Sequence, residues 1–176
     1  QCQKLLTPEH QFHKAWQQRH ASAGPVLIPL IRIDEHLWRG PQPDLEALAS
    51  LKEQGLSTIF NLRNECRQSE KLAEDLGLSC VTIPVQDMSV PGIDQVLQFL
   101  DHVASKSRPG SALVHCFAGQ GRTGLFVAGY RIWKGMAVHQ AIELTDRETR
   151  RRGMREPQRA WLIRHSATIQ EHHARI

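Results

Sequence analysis

The stretch Ser111–Gly124, SALVHCFAGQGRTG, decides how the rest of the chain is read. The apolar run Ala112-Leu113-Val114 ends in His115-Cys116. A loop with glycines at 119 and 121 follows, and Arg122-Thr123-Gly124 opens an apolar helical pattern. The pattern is a strand, a short loop and a helix start, with a thiol at one end of the loop and a guanidinium at the other. Phe117, Ala118, Gly119, Gln120 and Gly121 separate Cys116 from Arg122. A loop this short can curl so that its backbone N–H groups point inward, because its glycines admit the positive φ such a nest requires. The helix N-terminus adds partial positive charge. A tetrahedral oxyanion fits this cup, and Arg122 can close it with bidentate, charge-assisted hydrogen bonds. The inward N–H groups, the helix terminus and the Thr123 hydroxyl also favour the thiolate, the nucleophilic form of a cysteine. His115 is expected to orient the loop through side-chain hydrogen bonds rather than to act as a base.

Two rival motifs overlap the stretch. Gly119-Gln120-Gly121-Arg122-Thr123-Gly124 is formally GxGxxG, with Glu143 about where a ribose-binding acid would lie. A dinucleotide fingerprint should lead on into another strand of a βαβ unit, whereas helical patterns follow here. It would also leave the Cys116/Arg122 pair without a purpose and put Arg122 inside the tight turn. The nucleotide-binding GxxxxGK[ST] pattern fails because no lysine precedes Thr123.

Outward from the loop, strands alternate with helices upstream, and only helices lie downstream. Val26–Ile33 and His36–Arg39 read as strands. Gly40-Pro41-Gln42-Pro43-Asp44 turns the chain into a helix with Leu45, Leu48 and Leu51 on its apolar stripe, ended by Gly55. Ser57–Leu62 is strand-like. Gln68–Leu76 is a helix ended by Gly77, and Leu78–Val85 the next strand. Pro91 starts a helix running to Ser105. After the loop come a rather apolar, buried helix over Thr123–Trp133, with Gly129 packed close to the sheet, and helices over Ala137–Arg147 and Pro157–Gln170. The pattern predicts an α/β three-layer sandwich with a short, mainly parallel central sheet flanked by helices. Thr7-Pro8-Glu9 starts a surface helix over residues 8–20, broken at Gly24-Pro25. The expected organisation is an N-terminal helical extension over residues 1–24 and one domain over residues 25–176.

A chain of 176 residues with 40% hydrophobic residues suffices for one domain with a real core. No apolar run approaches the roughly 18–20 residues of a membrane helix. The net charge of +4 is unevenly spread. Arg147, Arg150, Arg151, Arg152, Arg155, Arg159 and Arg164 face only Glu148 and Glu156, which reads either as a solvated face or as a rim attracting anionic substrate. No nucleic-acid motif accompanies it. Cys2, Cys66, Cys80 and Cys116 form no CxxC pair, and the ten histidines match no metal-binding spacing. No metal and no cofactor are expected.

The run His115-Cys116-x5-Arg122-Thr123-Gly124 resembles the HCx5R[ST]G signature of the protein tyrosine phosphatase superfamily. Gly121–Tyr130 (GRTGLFVAGY), Ile83-Pro84-Val85-Gln86-Asp87 with Pro91, and Leu37-Trp38-Arg39-Gly40-Pro41-Gln42-Pro43 are similar to its compact, atypical dual-specificity branch of bacterial and fungal type. The similarity spans roughly Ile28 to Ile163. It implies a cysteine-phosphatase fold and a two-step reaction. Cys116 attacks phosphorus and forms a cysteinyl-phosphate, Arg122 and the loop amides of residues 117–121 bind the phosphate, and an aspartate protonates the leaving oxygen and later activates water. Asp87 fits the family's acid position, some 30 residues before the cysteine. Asp94 and Asp101 fall inside a predicted helix and read as surface residues. Asn61 and Arg63, at the end of a neighbouring strand, could reach the loop, with Asn61 as a brace. Gln158 is a candidate for placing the hydrolytic water, its plainer reading being a helix-start residue.

The uncharged Phe117 and Gln120 speak for protein substrates, because phosphoinositide-directed members of the superfamily carry lysines inside this loop. The expected activity is on phosphotyrosine, with phosphoserine and phosphothreonine admitted. The alternatives are a phosphoinositide, inositol phosphate or phospholipid head group and, from another class, phosphate recognition without turnover. Phosphate or sulfate is expected to occupy the loop, the partner is a phosphorylated protein or another anionic phosphomonoester, and a monomer is expected. A cytoplasmic location is favoured, with a periplasmic or membrane-tethered one left open because Gln1 is not a native start.

Overall fold

The computed structural model describes residues 29–105, 110–149, 153–173 and 175. The expected N-terminal helix and Arg150–Arg152 lie outside them. A five-stranded sheet has the order β1-β2-β5-β3-β4, made of β1 (Ile31–Arg32), β2 (Leu37–Gly40), β3 (Leu56–Arg63), β4 (Ser79–Val85) and β5 (Ser111–His115). Only the β1–β2 pair is antiparallel. Of the expected first strand, residues 26–28 lie outside the described residues, and pairing within the described ones covers Ile31 and Arg32.

The helices are α1 (Leu45–Glu53), α2 (Gln68–Leu76), α3 (Ile93–Ala104), α4 (Gly121–Trp133), α5 (Val138–Arg147) and α6 (Glu156–His173). Local chemistry sets their ends. The Asp44 side chain accepts from the Ala47 N–H at the start of α1. Gly77 closes α2 at φ 66°, a left-handed conformation that glycine adopts without steric cost. At the start of α3, the Gln95 Oε1 accepts from the Gly92 N–H.

Alternation along β5 divides the core. Leu113 faces a small cluster with Leu48, Leu51, Ile59 and Ala73 under α1 and α2. Ala112 and Val114 face the main cluster, where Phe60, Val96, Phe99, Leu125, Phe126 and Leu162 pack the sheet against α3, α4 and α6. The result is the expected three layers. Every residue of α4 from Arg122 to Trp133 is buried, so this helix is apolar nearly all round. Gly129, expected against the sheet, packs instead on helices. A Cβ there would lie 3.4 Å from Val96 Cγ1 on α3 and 3.9 Å from Ile169 Cδ1 on α6.

Register positions the functional edge. His115 at the end of β5 pairs with Gly40 at the end of β2 and with Asn61 near the end of β3, while Arg63 pairs with Val85 at the end of β4. The four parallel strands therefore finish level. The segments after them, carrying Gln42, Glu65, Asp87 and Cys116, all emerge at the carboxyl edge of the sheet, where open α/β sheets bind ligands.

Candidate active site

The loop 116–121 is held from outside by its carbonyls. The His115 ring Nδ1 lies 3.0 Å from the Cys116 carbonyl. The Gln42 N–H donates to the Phe117 carbonyl at 3.0 Å, and Arg39 Nη2 donates to the Gly119 carbonyl at 2.9 Å. No peptide bond among the described residues is cis. In a planar trans peptide the C=O and the next N–H point oppositely, so fixing these three carbonyls aims the N–H groups of Phe117, Ala118 and Gln120 the other way. The Gly119 N–H donates to Cys116 Sγ at 3.3 Å. Gly119 has φ 74°, and a Cβ on it would stand 2.6 Å from the Gly40 carbonyl carbon. Both the left-handed backbone and the close pass of β2 thus require glycine here.

Arg122, 2% exposed, is the cation of the site. Glu65 grips it bidentately, Oε2 to Nη1 at 2.9 Å and Oε1 to Nη2 at 3.1 Å. Nη1 also donates to the Val85 carbonyl at 3.0 Å, and Asp87 Oδ1 lies 3.1 Å from Nη2. Arg122 Nε has no partner among the described residues. A buried N–H without an acceptor is costly, and an oxyanion in the cup would supply one. Burial alone would raise the Glu65 carboxyl, but Arg122 and Arg63 together hold it down to about 2. Burial opposes the Arg122 charge, and the fields of Cys116, Glu65 and Asp87 overcome it, so its pKa is raised.

His115 is fully buried, and burial lowers its pKa to about 4, so the ring is neutral. With Nδ1–H donating to the Cys116 carbonyl, Nε2 accepts from the Ser69 hydroxyl at 2.8 Å. Ser69 Oγ accepts from Gln42 Nε2 at 2.9 Å, and Gln42 Oε1 accepts from Arg63 Nη1 at 2.9 Å. Arg63 Nε donates to Glu65 at 2.8 Å, which returns the chain of bonds to Arg122. His115 thus contacts the loop backbone through Nδ1 and the Ser69 hydroxyl through Nε2.

Asn61 differs from expectation. Its Nδ2 donates to the Cys66 carbonyl at 2.9 Å and its Oδ1 accepts from the Arg63 N–H at 3.0 Å. It braces the turn that presents Arg63 and Glu65 rather than the cysteine loop. The β3–β4 pairing shifts register between Asn61 and Arg63, an irregularity of the kind that bends a strand locally. Arg63 does reach the loop, its guanidinium 5.1 Å from the centre of the Phe117 ring. Thr123 also departs from expectation: its hydroxyl is buried with no hydrogen-bond partner among the described residues.

A cleft of about 670 Å³ opens over the loop, lined by Asp87, Met88, Cys116 to Ala118, Gln120 to Arg122, and residues 153–159. Asp94 and Asp101 lie outside it; Asp101 pairs with His172 at 2.6 Å. Gln158 is 1% exposed and lines the cleft, its Nε2 donating to the Ser89 carbonyl at 3.2 Å. The arginine-rich segment is divided. Arg147 pairs with Glu143 and Arg159 with Asp146, whereas Arg155 is exposed and lines the cleft. Glu143, the ribose-binding candidate of the rival motif, is thereby a helix-surface partner of Arg147. Cys80 is free and half-buried, and burial pushes its thiol up to about 11. Among the described residues no His/Cys/Asp/Glu cluster is arranged to hold a metal, and no helix is long and apolar enough to cross a membrane.

Glu65, Arg39 and the bracing function of Gln42 were not visible as site features in the sequence. Glu65 sits in a polar turn, and only its contact with Arg122 in the folded chain marks it. Arg39 reads as one polar residue in a strand. The GPQP turn was a signal, but one that pointed to a chain reversal.

Residues 28–163 match the family described as "DSP-PTPase phosphatase fused to NAD+ Kinase". The dual-specificity protein phosphatase TpbA of Pseudomonas aeruginosa is 30% identical over 124 residues, 67% of this chain and 51% of that protein. A phosphatidylinositol 3,4,5-trisphosphate 3-phosphatase and protein tyrosine phosphatase, PTEN1 of Arabidopsis thaliana, is 26% identical over 111 residues, 61% of this chain and 26% of that protein. The chain thus spans about half or less of the length of these curated relatives. The crystal structure of P. aeruginosa TpbA superposes with TM-score 0.70 at 22% identity, covering 85% of this chain and 92% of that one. The core catalytic domain of the PP-IP phosphatase SIW14 from S. cerevisiae, solved with citrate, does so with TM-score 0.70 at 14% identity, covering 83% and 91%. These likenesses establish the fold, and the match over residues 28–163 establishes the family: the chain belongs to the dual-specificity-type phosphatases of the protein tyrosine phosphatase superfamily.

Proposed function

We propose that the chain is a cysteine-dependent phosphomonoester hydrolase acting on phosphotyrosine, and on phosphoserine and phosphothreonine, in proteins. The observation that carries this reading is the convergence of three groups in one cleft: the Cys116 sulfur with an amide donor on it, Arg122 with an unpartnered Nε, and Asp87 at 3.1 Å from that arginine. In the first step the Cys116 thiolate attacks phosphorus in line. The S–P bond forms as the ester P–O bond breaks, and the leaving oxygen takes its proton from Asp87. In the second, water attacks phosphorus, Asp87 takes its proton, and the S–P bond breaks to release phosphate and restore the thiolate. Arg122 and the loop amides of residues 117–121 bind the equatorial oxygens in both transition states.

Phe117, beside the Arg63 guanidinium, gives the cleft an apolar wall that suits an aromatic phosphoester. The relation to TpbA, a dual-specificity protein phosphatase, supports the same substrate class. A phosphoinositide or inositol phosphate is the second reading, favoured by Arg155 on the cleft wall and by the similarity to PTEN1.

Turnover of an aryl phosphate by wild type, Cys116→Ser and Asp87→Ala tests the mechanism. Cys116→Ser is expected to abolish it, and persistence of activity would refute the covalent route. Asp87→Ala is expected to lower kcat roughly 100-fold or more. The loss should be larger on alkyl phosphates, whose leaving groups are more basic than a phenolate of pKa about 10. Wild-type behaviour of Asp87→Ala would remove it as the acid. A panel of phosphopeptides and phosphoinositides then decides between the two substrate classes.

A further inference from the structure

We propose that Arg39, on β2, is a positioning residue that holds the phosphate cup in its binding shape from behind. The proposal rests on the phosphate-binding role assigned to the loop under the proposed function. Arg39 is completely buried, which is rare for an arginine unless its charge is paired. Its three nearest partners belong to two separate parts of the chain. Nη2 donates to the Gly119 carbonyl at 2.9 Å, while Nη1 donates to the Thr145 carbonyl at 2.9 Å and to Glu148 Oε2 at 2.8 Å. The side chain thus ties the middle of the cysteine loop to the C-terminal end of α5.

The bond to Gly119 acts on the ligand side of the loop. The Gly119 carbonyl and the Gln120 N–H share one peptide plane and point oppositely. While Arg39 holds the carbonyl outward, the Gln120 N–H stays turned toward the cup. Without that bond the peptide can flip, and a carbonyl oxygen facing the cup would repel phosphate instead of binding it. Gly119, the residue best able to flip, sits at φ 74°. The bond therefore restrains the loop where it is softest.

Glu148 lies between Arg39 and Arg131, which also donates to Thr145 Oγ1. Two guanidinium groups thus share one carboxylate. Burial lowers the pKa of Arg39, and Glu148 acts in the opposite sense.

Arg131 is the matched control. It is buried, it pairs with the same carboxylate, and no bond of its guanidinium runs to the loop. Replacing either arginine by methionine leaves Glu148 with the other as its partner. The measurements on the whole chain are the Kd for inorganic phosphate, kcat and KM on an aryl phosphate, and Tm. Arg39→Met is expected to weaken phosphate binding roughly tenfold or more, the worth of one charge-assisted hydrogen bond. Arg131→Met is expected to lower Tm comparably and to keep phosphate affinity within about twofold, inside the scatter of changes away from the site. Arg39→Lys, which retains charge and one donor, is expected to recover part of the loss.

Wild-type phosphate affinity in Arg39→Met overturns the proposal, and so does an equal loss in Arg131→Met. Should Arg39→Met not fold, Arg39→Lys is compared with Arg131→Lys. Weakened phosphate binding confined to the first supports the assignment, and equal or absent weakening overturns it. Because the binding measurement needs no turnover, hydrolysis surviving in Cys116→Ser would sink the proposed reaction while leaving the Arg39 test intact.

Discussion

At the scale of single residues, the site is governed by which charges are buried together. Glu65 and His115 illustrate opposite solutions. Glu65 stays ionised because two arginines face it, and its pKa falls from 4.5 to about 2. His115 stays neutral because burial leaves no room for charge, and its pKa falls from 6.5 to about 4. Both shifts act in the same direction on stability. Between pH 6.5 and 4 the unfolded chain protonates the histidine and the folded one does not. Between pH 4.5 and 2 the same holds for the carboxylate. Stability conferred by each is complete above the unfolded-state pKa and is lost as pH falls through its window. Urea midpoints measured across pH are therefore expected to decline from pH 6.5 downward. His115→Asn should flatten the upper part of the decline and Glu65→Gln the lower part. A wild-type midpoint that stays flat between pH 6.5 and 4 would contradict the neutral His115.

At the scale of elements, the decisive contact is the passage of β2 behind the cysteine loop. Gly119 meets the backbone of Gly40 and Pro41, which cannot swing aside as a side chain can. Gly119→Ala therefore combines a disfavoured φ with a backbone clash. It is expected to cost about 2 kcal/mol or more and to abolish phosphate binding. Gly124→Ala is the comparison. A Cβ there would lie 3.1 Å from Met154 Cγ, the middle of a flexible side chain, and its cost should be smaller. Thermal denaturation together with phosphate titration of the two variants checks the ranking. Equal effects would mean that β2 yields more easily than its packing implies.

At the scale of the whole molecule, one aromatic ladder joins the sheet to the helix that carries the loop. Phe60 on β3 meets Phe99 on α3 edge-on at 5.0 Å between ring centres, and Phe99 meets Phe126 on α4 at 5.4 Å. All three rings are fully buried. Phe99→Ala removes the middle ring and is expected to cost about 3–5 kcal/mol, read as a shift in the urea midpoint. A cost below about 1 kcal/mol would place the ladder outside the stabilising core.

Legible in the chain alone were the order and type of the elements, the short loop from Cys116 to Arg122 as a candidate cup, and the place of Asp87 after β4. Those features follow from local rules. Period-two and period-3.6 patterns mark the layers, a glycine such as Gly77 closes a helix without a distant partner, and the spacing from Cys116 to Arg122 marks a short loop before a helix start. Helix ends shifted by one to three residues, as with α4 beginning at Gly121 rather than Thr123, because backbone capping there uses no side-chain signal. Tertiary structure alone decided which residues brace that cup. Glu65 reaches Arg122 across 57 positions and Arg39 reaches Gly119 across 80. No spacing rule encodes such pairs. They exist because parallel strands joined by helical crossovers finish level at one sheet edge, bringing segments far apart in sequence within hydrogen-bonding distance. The same geometry reassigned Asn61, whose side chain bonds the Cys66 carbonyl and the Arg63 N–H beside an irregularity that only the pairing of β3 with β4 reveals.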